Sequence, residues 1–198
     1  MNEIKKGLRL AIVLIVICGI AYPLLITGIG QVLFKDQANG SVIEHNGKEV
    51  GSSLIGQQYN DDGHFVGRIS AVNYNTSDKG KEIDATSGSD NLGPTSEQLK
   101  VRVESDIKDF LEKNPTLSKE DISSELISQS GSGLDPDITP KGAEIQEDRV
   151  SKATGISKED LDKLIDENTK KKWLGLYGGE RVNVLNLNLA VDDLKNKK

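Results

Sequence analysis

Apolar residues are concentrated at one place in this chain. Leu10 to Ile29 reads LAIVLIVICGIAYPLLITGI, twenty consecutive positions without an ionised side chain. That is about the length needed to cross roughly 30 Å of hydrocarbon as a helix. Its twelve Leu, Ile and Val residues favour insertion by about 4–7 kcal/mol. Tyr22, Pro23 and Thr27 offset part of this, and Pro23 is expected to kink the helix towards its far end. The pattern predicts residues 1–9 before a membrane span, 10–33 as the span, and 34–198 as one domain beyond it. Lys5, Lys6 and Arg9 crowd the short N-terminal side. The positive-inside rule then keeps the N-terminus cytoplasmic and the large domain extracytoplasmic. A cleaved signal peptide shares the basic start and apolar middle, but the run is long for one and no clean small-x-small site follows. A lipoprotein signal at Cys18 would want a small residue where Ile17 stands. Cys18 is the only cysteine, so no disulfide framework is available.

Beyond the span the periodicity is mixed. Residues 35–95, rich in Gly, Ser, Asn and Asp, break into short extended pieces such as Val50–Tyr59 and His64–Tyr74. Asn75–Pro94, with Gly80, Gly88 and Gly93, reads as a long surface loop. Thr95 and Gln98 then form a capping box. Leu99, Val103, Ile107, Phe110 and Leu111 follow on one helical face, and Asn114-Pro115 ends that helix. Ser118 with Asp121, and Ser157 with Asp160, repeat the box. Leu117/Ile122 and Ile156/Leu161 are placed as hydrophobic staples. Thr139-Pro140 reads as a cap and first-turn proline, opening a helix through Arg149 and Val150 to Gly155. Val182, Val184, Leu187 and Leu189 alternate with Asn183, Asn186 and Asn188, slipping at Leu185, and predict a strand. Lys195–Lys198 is a frayed basic end. Strands on both sides of a helical block predict a mixed α/β (α+β) domain.

Composition narrows the partners. About 165 residues beyond the span suit one domain with a real core. Only six aromatics lie after Phe34, so that core must be mostly aliphatic. Setting aside Glu3, Lys5, Lys6 and Arg9 leaves 30 acidic against 22 basic residues, a net charge of −8. That opposes nucleic acid, whose phosphates need a basic surface.

A search for chemistry returns few signals. His45 and His64 lie in separate loop-like segments and read as surface histidines, giving neither a zinc site nor a Ser-His-Asp triad. Gly47-Lys48 and Gly80-Lys81 are each followed by Glu, which would repel phosphate. Asp78-Lys79-Gly80 lacks the threonines of a phosphorylated-aspartate motif. Ser130-Gly131-Ser132-Gly133 is no nucleophile elbow. No intrinsic catalysis is expected, and no bound cofactor or metal. Three runs of small polar residues remain: Gly51–Gln57, Ser87–Pro94 and Ser130–Pro136. Such runs form tight turns whose backbone groups can hold a neighbouring chain, an anion, or only each other.

In order and spacing these runs resemble those of the C subunits of the Kdp potassium-transporting P-type ATPases. The likeness extends nearly end to end. It includes Pro23-Leu24, Thr27-Gly28, Gln31, Phe34 and Gln37–Ser41, then Gly51–Gln57, Arg68 with Ser70-Ala71, and Asn91–Pro94. It closes with Ser130–Pro136, Gln146, Arg149-Val150 and Arg181–Leu189. Ile69 and Lys35 stand where the family commonly has proline, and Asp137 where it has histidine, so no role for a histidine there is carried over. The resemblance implies a non-catalytic, single-pass subunit beside a potassium-conducting, an ATP-hydrolysing and a small single-span partner. ATP and K⁺ would then act at the level of the complex. It further implies a role in assembly, and a proposed action as a catalytic chaperone raising the ATP affinity of the hydrolytic subunit. The basic N-terminus places the domain on the face opposite cytoplasmic ATP, which favours assembly. Gln57, Arg68, Asn91, Asp135, Gln146 and Arg149 are the candidate motif or contact residues. A stand-alone anchored binding or sensor module, or a secreted hydrolase, would fit the chain's layout without the resemblance.

Overall fold

The computed structural model describes residues 2–76 and 84–197. The first element is one long helix made of α1 (Asn2–Val16), a π turn (Ile17–Ala21) and α2 (Tyr22–Leu33). Its 32 residues extend about 48 Å. None of the 18 most apolar is buried, and among the described residues it is the one helix long and apolar enough to cross a membrane. Pro23 acts through the π turn. Its ring crowds the carbonyl four residues back, that of Gly19, and it has no N–H to donate. The backbone widens just before it, the Tyr22 N–H bonding the Ile17 carbonyl five residues away.

After the short α3 (Lys35–Ala38), β1 (Val42–His45) and β2 (Lys48–Ser52) form an antiparallel hairpin. Asn46 and Gly47 make its turn at φ 52° and 74°, the geometry that Asn-Gly favours. The extended piece expected over Val50–Tyr59 is a strand only to Ser52, and His64–Tyr74 contains no strand. Its one sheet contact is an isolated bridge, Ile69 to Gln129. Of the predicted long loop, residues 84–93 carry neither helix nor strand. Gly80, and with it the Asp78-Lys79-Gly80 and Gly80-Lys81 sequences, lies outside the described residues.

Helix α4 (Glu97–Lys113) starts one residue later than its pattern predicts. Its cap is Ser96, whose hydroxyl accepts from the Leu99 N–H at 3.4 Å. Thr95 is taken up in the preceding turn, closed by the Ser96 N–H to the Gly93 carbonyl at 3.0 Å. Ile107 and Phe110 are buried, and the helix stops at Asn114 as expected. The Ser118–Asp121 box closes only a 3₁₀ turn, Lys119–Asp121. Asp121 accepts from the N–H and hydroxyl of Ser118 at 2.8 and 2.7 Å.

Thr139 caps α5 (Pro140–Glu144) as predicted, accepting from the Gly142 N–H at 3.1 Å. The single helix expected there breaks at Ile145-Gln146. A second helix, α6 (Glu147–Thr154), then ends at Gly155 in the left-handed conformation. Ser157 caps α7 (Lys158–Asn168). The tail departs most from expectation. Only β5 (Arg181–Asn183) is strand, central in an antiparallel sheet with β3 (Asp137–Ile138) and β4 (Thr169–Lys170). The alternating residues then become α8 (Val184–Asn196), running into the basic end, of which Lys198 lies outside the described residues. Asn183 starts this helix, accepting from the Asn186 N–H at 3.1 Å. The apolar positions that alternate also satisfy a helical period, and Val184, Leu187, Asn188 and Val191 share the buried face. Helices α5, α6 and α8 pack on α7, with β5 beneath. The core is aliphatic apart from Phe65 and Phe110, as the scarcity of aromatics implies. The fold is a mixed α/β domain behind one apolar helix.

Glu147 is a buried acid on α6 whose Oε1 has no hydrogen-bond partner. Burial, the hydrogen-bonded carboxyl of Asp162 and the nearby Glu144 push its pKa up to about 8, opposed by Lys158. A raised carboxyl stabilises the fold while protonated, and that contribution is lost as pH climbs from the unfolded value towards and past 8. The melting temperature is therefore expected to fall across this window. Glu147→Gln should flatten the fall and melt higher than the natural chain at pH 9. Parallel pH profiles for the two would contradict the assignment.

Candidate functional site

Residues 61–66 cross the domain without a neighbouring strand, so their backbone groups must find other partners. Side-chain amides supply them. Asn188 on α8 accepts from the Phe65 N–H at 2.8 Å and donates to its carbonyl at 3.0 Å. Gln146 does the same for Val66, at 2.8 and 3.1 Å. Arg149 completes the arrangement. Its Nη1 donates to the carbonyls of Asp62 and His64, both at 2.8 Å. Its Nη2 donates to Gln146 Oε1 at 2.8 Å, and its Nε to Asn114 Oδ1 at 3.2 Å. Burial pulls the Arg149 pKa down from its ordinary value, against the opposing pull of Asp62 and Asp61.

A second cluster surrounds Arg68. Its Nη1 donates to Asp135 at 2.9 Å and its Nη2 to the Gln129 carbonyl at 3.2 Å, while Nε is buried without a partner. The Tyr74 hydroxyl donates to the Arg68 carbonyl. Burial and the charge of Asp135 raise the Tyr74 pKa to about 12, against Arg68. Tyr74 sits at φ 51° between Asn73 and Asn75 at 49° and 53°. Its N–H is fixed to Ser70 Oγ at 2.9 Å. Three successive left-handed residues store strain that the surrounding contacts must hold.

The three small-residue runs converge here. The Gly56 N–H donates to the Leu134 carbonyl, and the Gly88 N–H to the Ser132 carbonyl, at 2.9 and 2.8 Å. A Cβ on Gly56 would stand 2.5 Å from the Asp135 carbonyl oxygen, so no larger residue fits. The backbone groups that made these runs candidates for holding a neighbour are in these places committed to one another.

Between residues 57–74 and α4 lies a cleft of about 290 Å³. Gln57, Arg68 and Arg149 line it with Tyr74, Phe110 and Asp106. Of the six candidates these three are brought together, and Asp135 and Gln146 support them from behind. Gln57 donates to the Val50 carbonyl at 2.8 Å. Asn91 lies apart on the surface, where its side chain bonds Ser89. Charges of both signs and three residues tied to the chain's own backbone make the cleft a rigid scaffold. Asn188, Tyr74 and Asn114 were missed from sequence. The available signal was a lone amide on the apolar face of a terminal helix, concealed by the strand reading.

The two histidines are better connected than surface residues. His64 lies within 2.8 Å of Asp61 and 3.1 Å of Asp192, and His45 within 3.3 Å of Asp193. Burial acts to raise the Asp61 carboxyl, but the hydrogen bond and charge of His64 outweigh it and hold it low. Among the described residues no three His, Cys, Asp or Glu side chains are grouped to hold a metal ion.

Replacing Arg149 with Met removes the donor to four acceptors. Gln146 Oε1 keeps the Val66 N–H, while Asn114 Oδ1 and the Asp62 and His64 carbonyls lose a partner, at about 1–3 kcal/mol for a group left buried and unsatisfied. Urea unfolding of the full chain in detergent should show a loss of several kcal/mol. Asn91→Gly, at an exposed left-handed position, should stay within about 0.5 kcal/mol of the natural chain.

Residues 4–193 match the family described as KdpC, K⁺-transporting ATPase, c chain. A potassium-transporting ATPase KdpC subunit of Clostridioides difficile is 49% identical over 201 residues, covering 96% of this chain and 97% of that one. Its counterpart in Clostridium kluyveri is 47% identical over 193 residues, covering 95% and 92%. That of Bacillus cereus strain B4264 is 46% identical over 188 residues, covering 94% and 93%. With the small-residue runs, the amide-rich tail and the apolar helix all falling inside the matched span, this chain belongs to the KdpC family, the accessory c-chain subunits of K⁺-transporting ATPases.

Proposed function

We propose that this chain stabilises the assembled potassium pump without catalysing a reaction itself. Residues 1–9 would be cytoplasmic, 10–33 span the membrane and 34–198 form an extracytoplasmic domain. The apolar helix would dock against partner helices, where Gly19, Ala21 and Gly28 permit close approach. The domain would rest on the potassium-conducting subunit, with the ATP-hydrolysing and small single-span subunits completing the complex. One contrast carries this reading. The candidate polar residues are bonded mainly within the chain, whereas the helix leaves its apolar side chains uncovered. A rigid domain on an apolar stem suits assembly better than turnover. ATP and K⁺ belong to the complex in this view. Lys5, Lys6 and Arg9 place the domain away from cytoplasmic nucleotide, which makes direct chaperoning of ATP the weaker role.

Two measurements test this together. Affinity purification from membranes expressing the operon should recover the other ATPase subunits with this chain. In a Cys18→Ser background, a cysteine replacing the exposed Lys163 should react with an impermeant maleimide in intact cells. A lone 21.5 kDa band would defeat the assembly role. Labelling only after lysis would reverse the orientation and bring the nucleotide-chaperone role forward.

A further inference from the structure

Residues 171–180 join β4 to β5, and all ten are exposed. They form an ordered apolar tip. The Trp173 N–H donates to the Tyr177 carbonyl at 2.9 Å, and the Tyr177 N–H to the Trp173 carbonyl at 3.0 Å. Their ring centres lie 5.8 Å apart. The turn between them holds Leu174 at φ 52° and Gly175 at 72°, and a leucine there is strained by about 1 kcal/mol or more. Trp173, Leu174, Leu176 and Tyr177 are 69%, 72%, 78% and 64% exposed. Four large apolar side chains held on a strained, closed turn form an uncovered patch that marks an interaction site. Trp and Tyr are the commonest anchors of protein interfaces. A turn already closed loses little freedom on binding.

The chemistry of the occupant follows from the surroundings. The domain as a whole carries a net charge of −8, but the tip's own base is basic, which suits a partner bearing carboxylates. Lipid insertion asks for no fixed geometry, whereas this turn is locked. Lys170, Lys171 and Lys172 stand at its base, with Lys171 paired to Asp166 at 3.3 Å. The tip is also tied to the membrane anchor. Asn183 at the end of β5 donates to the Ser53 carbonyl, and the Ser53 N–H to the Ser41 carbonyl, both at 3.0 Å. Ser41 is eight residues beyond Leu33, the end of α2.

We propose that the 173–177 tip is a docking peg for another subunit of the same ATPase. It seats its indole and leucine side chains in an apolar socket edged by carboxylates that face Lys170 and Lys172. The peg rests on the assembly reading above, and deepens it.

Leu176 replaced by photoreactive p-benzoylphenylalanine, in cells expressing the whole complex, should crosslink on irradiation to one ATPase subunit identified by mass spectrometry. Trp173→Ser with Leu176→Ser should reduce the ATPase subunits recovered per chain about tenfold or more. The melting temperature of the isolated chain should stay unchanged, because the tip contributes nothing to the core. Lys170→Glu with Lys172→Glu should reduce recovery to a lesser degree. A crosslink to lipid alone, or none, with full recovery by the serine variant, overturns the peg while leaving assembly intact. Failure of the natural chain to recover any ATPase subunit overturns the assembly reading and the peg with it.

Discussion

Phe65 and Val66 belong to a stretch of backbone that has lost the ordinary means of hydrogen bonding in a protein interior. Two amides, Asn188 and Gln146, stand where adjacent strands would otherwise be, each giving one donor and one acceptor. Arg149 fixes Gln146 and gathers the carbonyls just upstream. Each bond contributes on the order of 1 kcal/mol net, but the loss of one partner leaves a buried group unsatisfied at greater cost. The arrangement therefore behaves as a network in which no member is dispensable. It fixes residues 61–66 against α6 and α8, and so fixes the wall of the cleft and the position of Arg68.

The same dependence explains the character of the cleft. A catalytic site usually holds groups in reserve for substrate. Here the arginines, the buried glutamine and the central glycine-rich turns face inward to carbonyls of their own chain. Strain at Asn73–Asn75 is held by Ser70 and by Arg68's carbonyl. The result is a domain whose polar groups are largely bonded within the chain, joined to one long apolar helix.

Local signals were read reliably where the structure is local. The apolar run, the Asn114-Pro115 stop, the Thr139-Pro140 and Ser157 starts and the Gly155 end all follow from sequence neighbours. Two local starts differ, the cap at Ser96 rather than Thr95 and the Ser118–Asp121 box that closes only a 3₁₀ turn; the larger errors fall where contacts are distant. His64–Tyr74 has an extended pattern but no ladder, because its partners are side chains from α6 and α8. The segment after Arg181 alternates convincingly, yet Asn183 caps a helix and Asn188 is needed on its inner face. In the candidate site, Gln57, Arg68, Asn91, Asp135, Gln146 and Arg149 are each candidates from motif order, whereas their pairings, and the part played by Asn188, depend on the folded chain. Asn91, read with the same weight, stands outside the cluster: its side chain bonds Ser89, and its turn is tied to Gln129 through Asp90 instead.

The bonds between Asn188 and Phe65 join residues 123 apart. The interior stays open until the segment carrying Asn188 meets the one carrying Phe65, with long-range closure as the slow event. A chain cut before Asn188 would leave the Phe65 backbone without its amide partner and the interior unclosed.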